Sequence, residues 1–194
     1  MNGKLARTVA RVLTIAAISG AAVLGATTTA SAAPADCTYN PNGRGGYGTY
    51  LDKIAVDQRD WEVDLFNAIN AYRGQRGLPA LAFSRTLARP AMWASLDSYN
   101  RGFSPSNHID TRGMNVPQRV QFCSGYTGYV GEINYWAWGG GQGTTVQGAL
   151  TWWKNSPGHN ARLLDPNSRT MAVGLAYAGN DRNRTHYTVV FGDH

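Results

Sequence analysis

The clearest periodic pattern in the chain runs from Thr144 to Asp165, T-T-V-Q-G-A-L-T-W-W-K-N-S-P-G-H-N-A-R-L-L-D. Val146, Ala149, Leu150 and Trp153 recur at i, i+3, i+4 and i+7, which lays one apolar stripe along a helix. Thr144 with Gln147 three residues on fits a capping box, so the helix is expected to start there and to end near Asn155. Ser156 then reads as a fresh N-cap, with Pro157 at the first helical position, where its missing N–H costs nothing. His159 falls in the first turn of this second helix. The positive end of the helix dipole disfavours the imidazolium there. A neutral histidine can serve as a metal ligand or base, or it can be a polar surface residue; the stretch alone leaves both open.

Elsewhere the pattern is plainer. Trp61, Leu65, Ile69 and Tyr72 fit a first helix, capped by Asp57 or Asp60 and ended by Gly77. Ser84 caps a second helix whose Leu87, Ala91 and Ala94 share a face, ending near Gly102. Pro90 inside it removes a backbone bond at a cost of about 3 kcal/mol unless the helix kinks or starts later. Small residues at 88, 91 and 94 predict close approach to another element. Residues 116–121 read as a short helix opened by Pro117. Strands are expected at 129–135, 171–178 and 186–191, with a glycine-rich loop at 136–143 and a polar turn at 179–184. Helices that both precede and interrupt strands argue an α+β fold, a mixed sheet covered on both faces.

The ends change the charge argument. Lys4, Arg7 and Arg11, an apolar core at 12–24 and the A-x-A site Ala30-Ser31-Ala32 (with Ser31-Ala32-Ala33 as an alternative) read as an export signal over residues 1–33. An irregular arm at 34–56 and one domain at 57–194 follow. No later segment approaches the length of a membrane span, so the expectation is a secreted, soluble monomer. The chain holds 18 basic and 12 acidic residues, and three basic ones lie in the signal, which leaves a mature balance of +3. The arginines are scattered, so no nucleic-acid partner is expected, although weak attraction to anionic wall polymers is compatible. Two cysteines, Cys37 and Cys123, in an exported chain predict a disulfide.

W-W-K-N-S-P-G-H-N-A-R-L-L-D-P, then M-A-V-G-L-A, then Y-T-V-V-F-G resembles the bacterial members of the CAP superfamily, which includes cysteine-rich secretory proteins, venom allergens and pathogenesis-related proteins. Upstream, N-A-I-N-A-Y-R-G-Q-R-G-L-P-A-L-A-F-S-R-T-L is similar to the family's opening helix and the bend after it, so the ordered landmarks extend from Trp61 to Gly192. The resemblance implies a three-layer α–β–α sandwich. It also implies a central cleft with two histidines and two acids, in which some members bind a divalent metal. Carried over, the first histidine falls on His108, the first glutamate on Glu132 in G-E-I-N, and the second histidine on His159. The second acid, expected near Ser156, has no match. Two imidazoles, a carboxylate and a water suit zinc, but no H-E-x-x-H spacing is present, and a polar cleft satisfied internally is the competing reading. His186 in T-H-Y-T-V-V-F-G follows the V-G-x-A strand, whereas the family's histidine precedes it. It is therefore expected to be an edge residue of the last strand, outside the site. Neither a G-x-S-x-G elbow nor a placed carboxylate pair is found. The family's sterol and fatty-acid carriers imply a binding module for an apolar or cell-envelope ligand. The aromatics of Tyr135-Trp136-Ala137-Trp138 would supply contact or core packing. The alternative is a metal-dependent hydrolase using His108, Glu132 and His159.

Overall fold

The computed structural model describes Cys37, residues 56–178 and residues 181–194. The export signal expected at 1–33, and the arm expected at 34–56 apart from Cys37 and Val56, lie outside the described residues. The elements in chain order are α1 (Val56–Gln75), β1 (Ala82–Phe83), α2 (Arg85–Arg101), α3 (Val116–Ser124), β2 (Val130–Trp138), α4 (Val146–Asn155), α5 (Pro157–Leu163), β3 (Thr170–Ala178) and β4 (Asp181–Gly192).

The four strands form one sheet in the order β1-β3-β4-β2, with β1 parallel to β3 and the other pairs antiparallel. Side chains alternate across a strand, and here both faces are apolar. Tyr187, Val189 and Phe191 of β4 point into a core with Leu65 and Ile69 of α1, Trp153 of α4 and Leu163 of α5. Val190 points the other way and meets Leu87 and Ala91 of α2 and Val120 of α3. Helices therefore cover both faces, and the α–β–α sandwich stands. Each fully buried Leu, Ile or Phe contributes on the order of 1.5–3 kcal/mol, so these two cores hold the layers together.

The close approach foreseen for α2 is to β3. A Cβ added at Gly174 would lie 2.4 Å from the carbonyl carbon of Ala91, so only glycine lets that backbone pass. Ser95 Oγ donates to the Gly174 carbonyl at 2.8 Å and fixes the contact. Ser84 caps α2 through the Leu87 N–H at 3.3 Å, and Gly102 ends it at φ 82°. The helix runs through Pro90, because packing on β3 and β4 offsets one missing backbone bond. The Cys37–Cys123 disulfide is present, with Cα atoms 5.4 Å apart, and Trp93 packs against it.

Several local expectations need correcting. The first helix is already formed at Val56, upstream of Asp57 and Asp60, so neither caps it. Thr145, not Thr144, caps α4, accepting from the Gly148 N–H at 3.0 Å. Thr144 is taken up in the 3-10 turn Gly141–Thr144, and Gln147 bonds Thr151 instead of closing a capping box. Ser156 has cap dihedrals, but its hydroxyl makes no cap bond. β2 continues through Trp138 because β4, which already starts at Asp181, offers partners as far as Arg184. The tryptophans expected in a loop thus stand on a strand, and the turn expected at 179–184 is mostly strand. His186 is no edge residue. β4 is a central strand with β3 on one side and β2 on the other, and His186 is fully buried.

Candidate functional site

The site lies on the α2–α3 side of β2, under the loop that joins those helices. Glu132 and Asn134 point the same way from alternate positions of the strand. A cavity of about 10 Å³, room for about one water, is lined by Asp97, His108, Asp110, Arg119, Glu132 and Asn134, among others.

His108 reaches the strand through an unusual backbone. Its N–H donates to the Pro105 carbonyl at 3.1 Å, and its φ is 58°, the sole positive φ at a non-glycine among the described residues. That conformation costs a non-glycine residue roughly 1–2 kcal/mol and persists only where the surroundings enforce it. Here they do. Arg119 donates to the His108 carbonyl at 3.3 Å, and the ring Nδ1 lies 2.9 Å from Glu132 Oε1.

Glu132 is almost wholly enclosed, its side chain 1% exposed. Asn134 Nδ2 donates to its Oε1 at 3.1 Å, and the Arg119 guanidinium pairs with its Oε2. Burial pushes the carboxyl up, but the charge of Arg119 and the bond to His108 outweigh it. The net result lies below the usual carboxylate range. Glu132 is ionised and fully hydrogen-bonded.

Two further carboxylates stitch the loop. Asp110 Oδ1 accepts from the N–H groups of Arg112 and Met114 at 3.0 and 2.9 Å, and its Oδ2 accepts from Trp93 Nε1 at 3.1 Å. Asp97 accepts from the Thr111 N–H at 3.3 Å and from Arg101 at 3.4 Å. Sequence reading missed Asp97, Asp110, Arg119 and Asn134. A signal existed for two of them. D-T-R-G-M is an Asx-turn pattern, and Arg119 falls four residues before Cys123 on the buried stripe of α3.

His159 arrives from the opposite layer, in the first turn of α5. Its Nδ1 lies 2.7 Å from Ser156 Oγ, and its ring is 4.7 Å from that of Trp152. Ser156 therefore stands behind this ring as Glu132 stands behind His108, a hydroxyl where the family pattern expects an acid. Burial lowers the pKa of His159, and the charge of His108 lowers it further. The direction matches the sequence expectation, but the leading cause is desolvation, not the dipole of so short a helix. The structure joins His108 to Glu132 directly and brings His159 within electrostatic reach of His108, with no hydrogen bond to either. Among the described residues no three His, Cys, Asp or Glu side chains gather closely enough to hold an ion. His186 takes no part in this site.

The profile of the cysteine-rich secretory protein family (CAP) matches residues 66–191, well over half of the chain. The chain belongs to that family. No curated protein sequence matches it. Among solved structures, the CAP domain is similar to an outer surface protein of Borrelia burgdorferi, with a TM-score of 0.58 and 18% identity over 72% of this chain and 96% of that one. It is also similar to an extracellular protein containing an SCP domain from Bacillus anthracis, with a TM-score of 0.57 and 24% identity over 74% of this chain and 43% of that one. A cysteine-rich secretory protein of Staphylococcus aureus matches with a TM-score of 0.53 and 16% identity, over 72% of this chain and 40% of that one. The chain thus spans under half the length of the latter two proteins. At these identities the likeness concerns the fold.

Proposed function

We propose that this CAP domain is a secreted binding module for an apolar or cell-envelope ligand, with a divalent ion, zinc preferred, held in the cleft by His108 and His159. The observation that carries the reading is that both imidazoles are gripped from behind. A carboxylate only accepts, so in the neutral His108 ring the proton sits on Nδ1 toward Glu132 and the lone pair falls on Nε2. The Nδ1 of His159 is engaged by Ser156, which leaves its Nε2 for a ligand as well. Histidines that bind metals are commonly oriented by such a partner on the second ring nitrogen. The two histidines fit the ion, whereas Glu132 does not fit as a ligand. Both of its oxygens are occupied and its side chain is enclosed, so it orients His108.

When bound, the ion supplies Lewis acidity to an oxygen of the ligand. Trp152, 48% exposed, stands beside His159 with Tyr135 5.7 Å away, which gives the cleft an aromatic wall for an apolar group. The hydrolase alternative needs Glu132 as a base. A carboxylate locked against Arg119 on one oxygen and His108 on the other is poorly placed for that work, which favours binding.

Calorimetric titration of the mature protein with zinc is the test. Heat is expected at pH 7.5, with much weaker binding at pH 5.5, where imidazoles take up protons. Glu132→Gln should weaken binding about 10- to 100-fold. No heat for the wild type at pH 7.5, or unchanged heat in the His108→Ala/His159→Ala variant, removes the ion from the proposal.

A further inference from the structure

We propose a second binding surface, at the far end of β2, for an acidic glycan strand. Trp136 and Trp138 stand two residues apart on one face of the strand, 42% and 58% exposed, with ring centroids 5.8 Å apart. Phe103, 47% exposed, follows Gly102, where an added Cβ would come 3.9 Å from Trp138. The two tryptophan rings make one patch, with Phe103 in the chain next to the Gly102 that approaches Trp138, and large exposed aromatics gathered in this way mark a recognition site.

Arg184 decides the class of partner. It is the register partner of Trp138, and its guanidinium lies 3.8 Å from the Tyr99 ring centroid and 5.8 Å from that of Trp138. It also donates to the Tyr99 carbonyl, and no described carboxylate pairs with it. Arg101 lies 5.4 Å over the Phe103 ring. Cations interleaved with aromatic faces suit a ligand with flat C–H faces, polar edges and negative charge. A bilayer suits them poorly, because ring insertion would carry the Arg184 guanidinium toward the acyl layer.

Trp136 is also held in place from behind. Trp136 stacks on the buried His186 ring at 6.3 Å, and His186 packs edge-on against Tyr99 at 5.7 Å. Preorganised aromatics lose little freedom on binding. The patch shares its face of β2 with Glu132 and Asn134, so a polymer that reaches the cleft can also lie across it. The proposal rests on the cell-envelope reading of the cleft and names the polymer.

The experiment is calorimetry of the mature protein with soluble uncrosslinked peptidoglycan strands, which carry carboxylates on stem peptides attached to N-acetylated sugars. Uncharged chitohexaose and vesicles of palmitoyl-oleoyl phosphatidylglycerol are the comparison ligands. Wild type should bind the strands at least fivefold more tightly than chitohexaose, and more tightly than the vesicles. Trp136→Ala/Trp138→Ala should lose at least tenfold. Trp138→Ala alone, at the most exposed ring, guards against misfolding and should lose at least threefold, with Trp138→Phe restoring most of it. Arg184→Gln should erase the preference for strands over chitohexaose. The tryptophan variants should keep zinc binding, and His108→Ala/His159→Ala should keep strand binding, so the two proposals fail separately. Equal strand affinity in wild type and Trp138→Ala, or tighter binding to the vesicles than to the strands, overturns the glycan surface.

Discussion

Arg119→Met isolates what holds the site together. The guanidinium pairs with Glu132, lies 3.9 Å from Asp110 and donates to the His108 carbonyl, all with its side chain 2% exposed. Removing one partner of a buried pair leaves an uncompensated charge, at a cost of roughly 3–5 kcal/mol. In a domain of this size each kcal/mol moves Tm by about 2–4 °C, so the melting point at pH 7.5 should fall by about 6–20 °C. The sign of the pH dependence is the sharper test. In the wild type the Glu132 pKa is depressed, so its contribution is complete above the unfolded value near 4.3 and disappears as pH falls through the folded value. In the variant burial acts unopposed and raises the pKa, so the penalty is largest at neutral pH and fades as the carboxyl takes up its proton. At pH 4 the loss should shrink to about 1–2 kcal/mol, the scale of the remaining hydrogen bonds. Urea unfolding of both proteins at pH 7.5 and pH 4 measures it. Arg119→Met/Glu132→Leu should recover most of the stability, since no charge is then stranded. An equal loss at both pH values, or a double variant as unstable as the single, would falsify the ion-pair account.

Three other outcomes are expected. Neither ring nitrogen of His186 has a hydrogen-bond partner, and burial, with Arg184 second, pushes its pKa down to about 3. Stability should therefore decline as pH falls from about 6.5 toward 3, because only the unfolded chain takes up that proton. His186→Phe should flatten this slope in urea titrations and gain about 1 kcal/mol at pH 7. Glu62 accepts from the Leu175 N–H at 3.0 Å, and burial pushes its pKa up to about 8, so its folded form keeps a proton that the unfolded chain releases above about 4.5. Glu62→Gln keeps the acceptor and should raise Tm at pH 7.5 while leaving it unchanged at pH 4; a lower Tm at pH 7.5 would contradict the burial argument. Cys37→Ser/Cys123→Ser should cost up to about 4–5 kcal/mol, and non-reducing mass spectrometry of the wild type should find no free thiol.

Elements with a strong period were legible from the chain: α1, α2 between Ser84 and Gly102, and the α4–α5 pair with His159 in its first turn. Boundaries slipped where two residues could perform one role. Thr144 and Thr145 are both competent caps, and the 3-10 turn that occupies the first leaves the second to cap α4. His186 was misplaced for a different reason. Alternation gives the facing of a side chain but not the position of its strand in the sheet, and β4 became central only once β2 and β3 paired with it from opposite sides.

The candidate site divides along the same line. His108, Glu132 and His159 could be named from resemblance because residue types in order survive in a sequence. Asp97 and Asn134 could not, because a polar or charged residue in a sequence reads as solvated until folding encloses it, and Arg119 and Asp110 left only a local trace in a helix stripe and a turn pattern. What the chain determined by itself was local: periodicity, the Ser84 cap, the small residues at 88, 91 and 94 that foretell the close approach of α2, and two cysteines able to pair. The tertiary structure alone decided that Glu132 is ionised, that Ser156 stands behind His159, and that Trp136 and Trp138 share a face with a guanidinium. Those outcomes depend on desolvation and on charges brought together from segments far apart in the chain. No local window of sequence contains either.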